Sequence, residues 1–469
     1  MELNIITGEI IYKNVDFSFV YSKGEIRLIP SKEDRKTIMC HWLMSEIAPG
    51  VFSDGDPLFM EEPYLLGKCN ETGYRVAFMF DLGSPINSYN STLIISVSAV
   101  AEIKDSGDMS RMRISSPVLD HIHPVNRGYT QSFPLEGSRN DGVIEIIIKG
   151  FDAMTTERKS FRFLDKEIWV QFSMGYKCSQ KIGDSPISIF SNLLFEFEPT
   201  SDFVYLLKLY RLGEELVKFL SYRRDIGVFD VSLSTWRNNK FFWKNATLEI
   251  LSVTPPLDLE PLKKGWYITV DLLEGNENNL LQAISDNVLY LRHIPRTSDD
   301  WRIIDASRFV LLTAAFEWEF ERLYPEGILK RKAEAESKAI EMMQSLIDEN
   351  TGDVKSFLKF AKKSIGFTNL QAKMIHAAKE FDSVIGDFGK RLFDLNNERF
   401  NYATIGKRLS EQRNNFAHGN LNKEFDGVSC LDLIFLEYLI LAIQLHQIGV
   451  SDEGIRKSIN QLFGLRIPV

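Results

Sequence analysis

The chain has 469 residues, of which 44% are apolar and 25% are charged, a composition typical of folded globular proteins and not of disordered or fibrous ones. This length exceeds what one hydrophobic core normally supports, so two or three domains are expected. Residues 1–300 carry the whole net charge of −9, because residues 301–469 hold 23 basic and 23 acidic groups, and charge alone therefore predicts no strong nonspecific binding of nucleic acid.

Before residue 295, apolar and polar residues mostly alternate. The run Thr92–Ile103 places apolar side chains at every second position, which predicts a strand with one buried face. Similar short apolar runs occupy Val143–Lys149, Glu167–Phe172, Val228–Leu233 and Thr247–Val253. Turn sequences such as Asn140-Asp141-Gly142 separate them. Many short strands joined by such turns predict a β-sandwich or a related antiparallel sheet.

One helix is predicted to interrupt these strands, from Asp202 to Tyr222. Its apolar residues recur at intervals of three and four, as on one face of a helix. Gly213 lies in the middle of this stretch, and glycine in a helix interior argues against a single straight helix.

After Pro295 the apolar period changes to that of helices. Thr297-Ser298-Asp299-Asp300 supplies residues that commonly cap a helix N-terminus, and the apolar face of a long helix follows from Phe309 to Leu323. Further helices are predicted at Glu326–Asp348, Asp353–Ser364, Asn369–Leu395, Tyr402–Ala417, Ser429–Gln447 and Asp452–Phe463. Gly366, Gly419 and Gly449 fall where helices should stop. The second half is therefore expected to be an all-α bundle.

The most informative motif is Arg413-Asn414-Asn415-Phe416-Ala417-His418-Gly419, at the predicted end of a helix. Arginine supplies a permanent cation for a phosphate, and histidine exchanges protons near neutral pH. The bare Arg-x4–6-His pattern is weak, since composition predicts roughly one match by chance. A second match, Arg35 to His41, lies in the β-rich half and is set aside.

Helix geometry separates two parts of the motif. Asn414 and His418 are four residues apart and share a helix face, whereas Arg413 and His418 are about 140° apart around the axis. A helix end at Gly419 would free His418 from strict geometry. Alternatively, two copies of the chain could pack this helix against itself and pool their side chains in one cleft.

The motif, its spacing and its position between long apolar helices resemble the signature of HEPN ribonucleases. The segments 309–321 (FVLLTAAFEWEFE) and 431–447, together with the motif, are similar to the ApeA family of bacterial anti-phage proteins. In the β-rich half the resemblance extends to Ile6–Ile10 and Lys218–Arg224.

This resemblance implies an α+β protein of two domains: a β-rich, sandwich-like sensor over residues 1–295 and an all-α HEPN ribonuclease over residues 296–469. It also implies abortive-infection defence, with a phage-encoded protein as the trigger, a composite site across a homodimer, and cleavage of cellular RNA, with tRNA as the target. Arg413, Asn414 and His418 are the implied catalytic residues, and no cofactor or metal is expected.

Two other interpretations of the motif remain open. Arg413 could form an ion pair with an acid such as Glu411 or Glu398, with His418 as a simple helix cap. The helical half would then be a noncatalytic module that binds nucleotide or protein. A third alternative is a β-sandwich that binds carbohydrate or peptide while the helices only dimerise.

Other candidate residues carry weaker signals. Glu317, Glu319 and Glu321 lie on the first long helix, where one of them could brace the arginine, although a solvated face is the simpler interpretation. His121 and His123 would share a strand face, but no further ligand nearby completes a metal site. The basic run 330–332 is interpreted as a solvated face.

The sequence also bears on the compartment. Its four cysteines form no C-x-x-C pair, which fits a reducing cytoplasm. The N-terminus lacks the regions of a signal peptide. The most apolar segment, residues 431–450, contains Asp432 and Glu437, which a membrane span would rarely tolerate. A cytoplasmic protein without a membrane contact is expected.

Overall fold

The structure of the chain is a computed structural model. It describes residues 5–48, 51–105, 107–132, 145–150, 154–237, 241–251, 256–328, 333–364, 369–417 and 427–468. Strands dominate residues 6–250, and helices dominate residues 306–462. The predicted α+β class, with an antiparallel β-rich half and a helical C-terminal half, is confirmed.

Nineteen strands are present among the described residues. They are β1 (Ile6–Tyr12), β2 (Val15–Ser22), β3 (Glu25–Pro30), β4 (Met44–Ala48), β5 (Val51–Asp54), β6 (Leu58–Phe59), β7 (Tyr64–Cys69), β8 (Arg75–Met79), β9 (Pro85–Tyr89), β10 (Thr92–Ser96), β11 (Ala99–Ile103), β12 (Met109–Ser115), β13 (Tyr129–Ser132), β14 (Glu145–Ile148), β15 (Lys159–Phe163), β16 (Lys166–Cys178), β17 (Ile187–Thr200), β18 (Asp230–Arg237) and β19 (Phe241–Ile250). Fifteen of them form one sheet in the order β15-β16-β17-β12-β18-β19-β11-β8-β7-β1-β2-β3-β10-β9-β6, and β4–β5 and β13–β14 form two small ribbons.

The middle strands of the large sheet are buried on both faces. In β8, Val76 and Phe78 belong to one hydrophobic core, and Ala77 and Met79 belong to another. Successive side chains of a strand point to opposite faces, so β8 separates the two cores. The first core lies under the N-terminal strands, and the second continues into the helices.

The predicted strand Thr92–Ile103 is two strands. β10 pairs with β3 and β9, whereas β11 pairs with β8 and β19. The chain changes partners at Val97 and Ser98, whose amides donate to the carbonyls of Gly24 and Met79. Val97 is also buried, so the alternation of apolar residues continues through the break and could not reveal it.

Thirteen α-helices are present among the described residues. They are α1 (Asp34–Ile38), α2 (Pro117–Ile122), α3 (Phe203–Ser221), α4 (Glu260–Lys263), α5 (Glu277–Ser285), α6 (Ala306–Leu323), α7 (Ala333–Glu349), α8 (Gly352–Ser364), α9 (Leu370–Glu380), α10 (Asp382–Asp394), α11 (Tyr402–Ala417), α12 (Gly427–Gln447) and α13 (Asp452–Leu462). Single turns of 3₁₀ or π helix occur at Met39–Leu43, Val125–Gly128, Val270–Leu273 and Asp300–Arg302.

Helix α3 is continuous, contrary to the break predicted at Gly213. The Asp202 carboxylate caps it by accepting from the amides of Val204 and Tyr205. A Cβ at Gly213 would lie 2.9 Å from Ile114 Cδ1 and 3.0 Å from an edge carbon of Phe195. The glycine therefore allows the helix to approach the sheet closely.

The helical half follows the prediction with three corrections, the first being that residues 326–328, predicted to begin the helix Glu326–Asp348, are not helical. Asp305, and not the run Thr297–Asp300, caps α6 by accepting from the amide of Arg308. The predicted helix Asn369–Leu395 is two helices, α9 and α10, which meet at Phe381. Helices α4 and α5 lie within the region expected to be β-rich. Gly449 ends α12 with a positive φ, whereas Gly366 and Gly419 lie outside the described residues.

The second hydrophobic core continues across residue 295. Tyr222, at the end of α3, is fully buried with its ring centroid 5.9 Å from those of Trp301 and Phe463. Among the described residues, α12 is the one helix long and apolar enough to cross a membrane, and 78% of its apolar window is buried inside the protein. The boundary placed at residue 295 stays a prediction.

Candidate functional site at the end of α11

Helix α11 carries the motif and is anchored to its neighbour α12. Arg408 Nε and Nη2 donate to the two carboxylate oxygens of Asp432, each at 2.6 Å. The Asp432 side chain is completely buried, so this bidentate ion pair fixes the orientation of α11 about its own axis. In the sequence, Asp432 served only as an argument against a membrane span.

Arg413 lies one and a half turns further along α11, where it meets the first long helix. Its Nη2 donates to Glu317 Oε2 at 2.9 Å. The Arg413 side chain is 42% exposed, whereas that of Glu317 is 21% exposed. The Glu317 carboxylate thus restrains the Arg413 guanidinium through one nitrogen. Much of the Arg413 side chain stays accessible to solvent. The acid that pairs with Arg413 is Glu317, and neither Glu411 nor Glu398 holds that position.

The last turn of α11 presents a polar side chain next to a packed ring. Asn414 is exposed. Phe416 is half-buried, and its ring lies edge-on to that of Phe309 in α6, with centroids 5.5 Å apart. This contact fastens the end of α11 to α6 directly beside Asn414. Arg413 and Asn414 are therefore held together on a well-packed helix end.

His418 follows the last residue of α11 and lies outside the described residues. The predicted stop at Gly419 lies outside them too. The proximity of Arg413 and Asn414 follows from their positions on α11, and the convergence of His418 with them stays a prediction.

The three glutamates of α6 have three different environments. Glu317 braces Arg413, which is the role that the sequence favoured less. Glu319 is completely buried, where its Oε1 accepts from the Tyr290 amide at 2.8 Å and from Gln444 Nε2 at 2.9 Å. Burial raises the pKa of Glu319. Glu321 is exposed and pairs with Lys373, so the solvated face predicted for all three is right only for Glu321.

The two neighbouring histidines of the β-rich half do not share a strand face. His121 lies in α2 and His123 follows that helix, with its ring against Phe172. Burial lowers the pKa of His123 to about 4, so its imidazole is neutral near pH 7. Within the described ranges, no group of three His, Cys, Asp or Glu side chains could hold a metal ion.

A buried polar network near α6 was missed in the sequence. Arg308 Nη2 donates to both carboxylate oxygens of Glu437 at 3.0 Å, and the Tyr222 hydroxyl donates to the same carboxylate at 2.9 Å. This network links the β-rich half to α6 and α12. A cavity of about 250 Å³ adjoins the network and is lined by Arg308 and Glu437 together with Trp266 and Trp301. The signal was Glu437 itself, an acid within an apolar helix, which requires a buried partner.

Comparison with known proteins finds one family match, in the helical region. Residues 310–454 match a family model described as Apea-like HEPN. The matched span begins in α6 and ends in α13, so it includes the whole motif. No curated protein and no solved structure matches the chain.

Proposed function

From the premise that residues 310–454 form an Apea-like HEPN domain, we propose that this chain is an anti-phage endoribonuclease of abortive infection. The β-rich half is the sensor and the helical half is the nuclease. The enzyme acts in the cytoplasm on cellular RNA, with tRNA as the substrate class, and it needs no metal or cofactor. The observation that carries the proposal is that the matched span contains Arg413 and Asn414 side by side on a partly exposed helix end.

The geometry around Arg413 suits recognition of a phosphate. A guanidinium offers five N–H donors in a fixed plane, and the contact with Glu317 uses one edge of that plane. The exposed part of the side chain can then meet non-bridging phosphate oxygens. Asn414, exposed on the same turn, can donate a hydrogen bond to the phosphate or to the imidazole of His418.

The chemistry proposed is attack of the RNA 2′-OH on the adjacent phosphate. The 2′-oxygen forms a new bond to phosphorus, the bond to the 5′-oxygen breaks, and the products carry a 2′,3′-cyclic phosphate and a 5′-OH. His418 accepts the proton of the 2′-OH as a base or donates a proton to the leaving 5′-oxygen as an acid. Either role is worth roughly 10²- to 10⁴-fold in rate. Arg413 stabilises the charge that develops on the phosphorane. DNA lacks the attacking hydroxyl and is not cleaved.

The complete site is proposed to lie across a homodimer of the HEPN domain. Arg413 and His418 would lie about 140° apart on one continuous helix, so a single copy does not aim both at one atom. Two copies that meet through the ends of α11 would supply both side chains from opposite sides of one cleft.

The test is RNA cleavage with mapped product ends. Wild-type protein should leave cyclic phosphates on small synthetic RNAs, and His418→Ala and Arg413→Ala should each lower the rate by at least about 100-fold. His376→Ala is the matched control, because this histidine is partly exposed on α9 and pairs with Glu380. Cleavage that persists in His418→Ala would contradict the assignment.

A noncatalytic binding module is the second candidate, and the Arg413–Glu317 ion pair is the observation that favours it. In that case the arginine is structural, and the helical half binds RNA or nucleotide without cutting it. Intact RNA bound with measurable affinity by wild-type protein, unchanged in His418→Ala, would identify this function.

The trigger is proposed to be a phage-encoded protein that binds the β-rich half. The net charge of −9 lies entirely in residues 1–300, which favours a partner with a basic surface. Purified candidate phage proteins should switch on RNA cleavage by the full chain, with weaker activation at high salt. Activation equally strong at low and high salt would contradict an electrostatic contact.

A further inference from the structure

Helices α7 and α8 form a hairpin that contributes no side chain, among the described residues, to either hydrophobic core. The two helices pack against each other, with Ile347 buried and Lys362 Nζ donating to Gln344 Oε1 at 2.6 Å. Their outward residues include large apolar side chains: Met342 is 69% exposed, Leu346 43%, Val354 55% and Phe357 77%. Such a group on one element marks an interaction surface.

These apolar side chains lie on one face of the hairpin. Leu346 directly precedes the inward-facing Ile347, and Phe357 directly precedes Leu358, which is half-buried. Leu346 and Phe357 therefore each lie about 100° around the helix axis from the inward-facing residue that follows. The rotation has the same direction along both helices. In antiparallel neighbours this rotation places both side chains on the same face, which we call the hairpin face.

Most charged residues of the hairpin point elsewhere, and the exceptions are the acids Glu349 and Asp353 near the loop, about 60° and 40° around the axis from Leu346 and Phe357. Helix α8 has four lysines and one aspartate, yet Lys355 and Lys359 lie about 160° from Phe357 around the axis. In α7, Glu341 and Asp348 lie about 140° to 160° from Leu346. An RNA site needs cations beside its stacking rings, and the hairpin face does not provide them. An apolar face that lacks cations beside Phe357 suits a partner surface of the same kind.

The size of the face suits a symmetric contact. A helix of 17 residues is about 25 Å long, and a helix pair is about 20 Å wide. Two such faces together cover on the order of 1,000 Å², the lower range of specific protein interfaces. Face-to-face contact would bury both apolar stripes in the core of a four-helix bundle.

We propose that the hairpin face is a self-association surface, through which a second copy of this chain packs its own α7 and α8. The contact is isologous, so each changed residue acts twice in one dimer. It holds two HEPN domains together through an element separate from α11. The inference rests on the proposed function in one respect, that a composite site needs two copies of the chain. The association itself requires no RNA.

The test is the mass of the full chain in solution, measured by sedimentation at a series of concentrations. Wild-type protein should be a dimer, and Phe357→Glu and Leu346→Glu should each weaken the dimer by at least about 30-fold. Leu395→Glu is the matched control, since Leu395 is 72% exposed on another part of the helical half. Circular dichroism should show equal helix content in all four proteins.

Three outcomes would overturn the inference. The first is wild-type protein that is monomeric at tens of micromolar, and the second is a dimer that persists in Phe357→Glu and Leu346→Glu. The third is loss of RNA affinity in those variants with no change in mass, which would identify RNA as the ligand of the face. The mass needs no catalysis, so failure here and failure of the nuclease proposal are separate results.

Discussion

At the scale of single residues, ion pairs between an arginine of one helix and an acid of another join the helices of this protein. Arg413 meets Glu317 at a partly exposed position, whereas Arg408 meets Asp432 and Arg308 meets Glu437 in the interior. These contacts differ in expected strength. A surface pair contributes little to stability and mainly positions its members, whereas loss of one partner of a buried pair leaves an uncompensated charge.

Glu317→Gln tests the positioning of Arg413. The neutral amide holds the guanidinium less firmly, so kcat for RNA cleavage should fall about tenfold with KM nearly unchanged. The free energy of unfolding should change by less than about 1 kcal/mol, because Arg413 is 42% exposed. Glu321→Gln, which breaks a different α6 ion pair with Lys373, is the control. Equal kcat in both variants would argue against a positioning role.

Glu319 makes stability depend on pH. Burial raises the pKa of Glu319, so the protonated form is favoured in the folded protein. The stability that this preference contributes is complete below the pKa of the unfolded chain, 4.5. It is lost as pH rises through the higher pKa of the folded protein. Glu319 Oε2 and Gln444 Oε1 are both buried without a hydrogen-bond partner, and a donor at position 319 could satisfy the latter.

Glu319→Gln should therefore be more stable than wild-type protein at pH 8, by about 1 kcal/mol, because it removes a buried charge. The difference should shrink as pH approaches 4.5. Denaturant unfolding at several pH values measures this dependence. A variant less stable than wild type at pH 8 would show that Glu319 is usefully ionised in the folded protein.

At the scale of elements, close packing sets where residues must be small. Gly213 brings α3 against β12 and β17, where a side chain would collide with Ile114 and Phe195. Two effects oppose each other at this position: glycine costs helix propensity of roughly 1 kcal/mol, whereas a larger residue would overpack the core by about 1–3 kcal/mol. Since the neighbours include a ring in a wholly buried layer, the cost of overpacking should outweigh the gain in helix propensity.

Gly213→Val should lower the free energy of unfolding by about 1–3 kcal/mol, measured by denaturant titration. Arg211→Val is the control, because this exposed position of the same helix experiences only the change in propensity. If both variants behave alike, the close approach of α3 to the sheet is not what requires glycine.

At the scale of the whole molecule, the β-rich and helical halves share a core. Tyr222 lies at the end of α3, donates to Glu437 of α12 and packs against Trp301 and Phe463. These contacts connect the β-rich half to α6 through Arg308, one residue before the Phe309 ring that packs on the end of α11. Because of this connection, we expect α3 and α12 to open together when the protein partly unfolds.

Tyr222→Phe removes the hydroxyl that joins the halves but keeps the ring. Hydrogen exchange in mild denaturant should then speed up in both α3 and α12, by about fivefold, as expected for loss of one buried hydrogen bond of about 1 kcal/mol. Mass spectrometry of peptides from both helices measures it. Faster exchange in α12 alone would mean that the two halves open independently.

The sequence by itself determined the class of each half, because the apolar period changes from two to 3.6 near residue 295, and it located α11, α12 and α13 within two residues at each end. It also singled out Arg413 and Asn414 from chemistry and spacing. Only the tertiary structure decided which acid braces Arg413, since Glu317 is 96 residues away in the chain. It alone separated β10 from β11 and made Gly213 a contact point, because strand partners and close approaches are set by distant residues, whereas periodicity records only which face of a segment is buried.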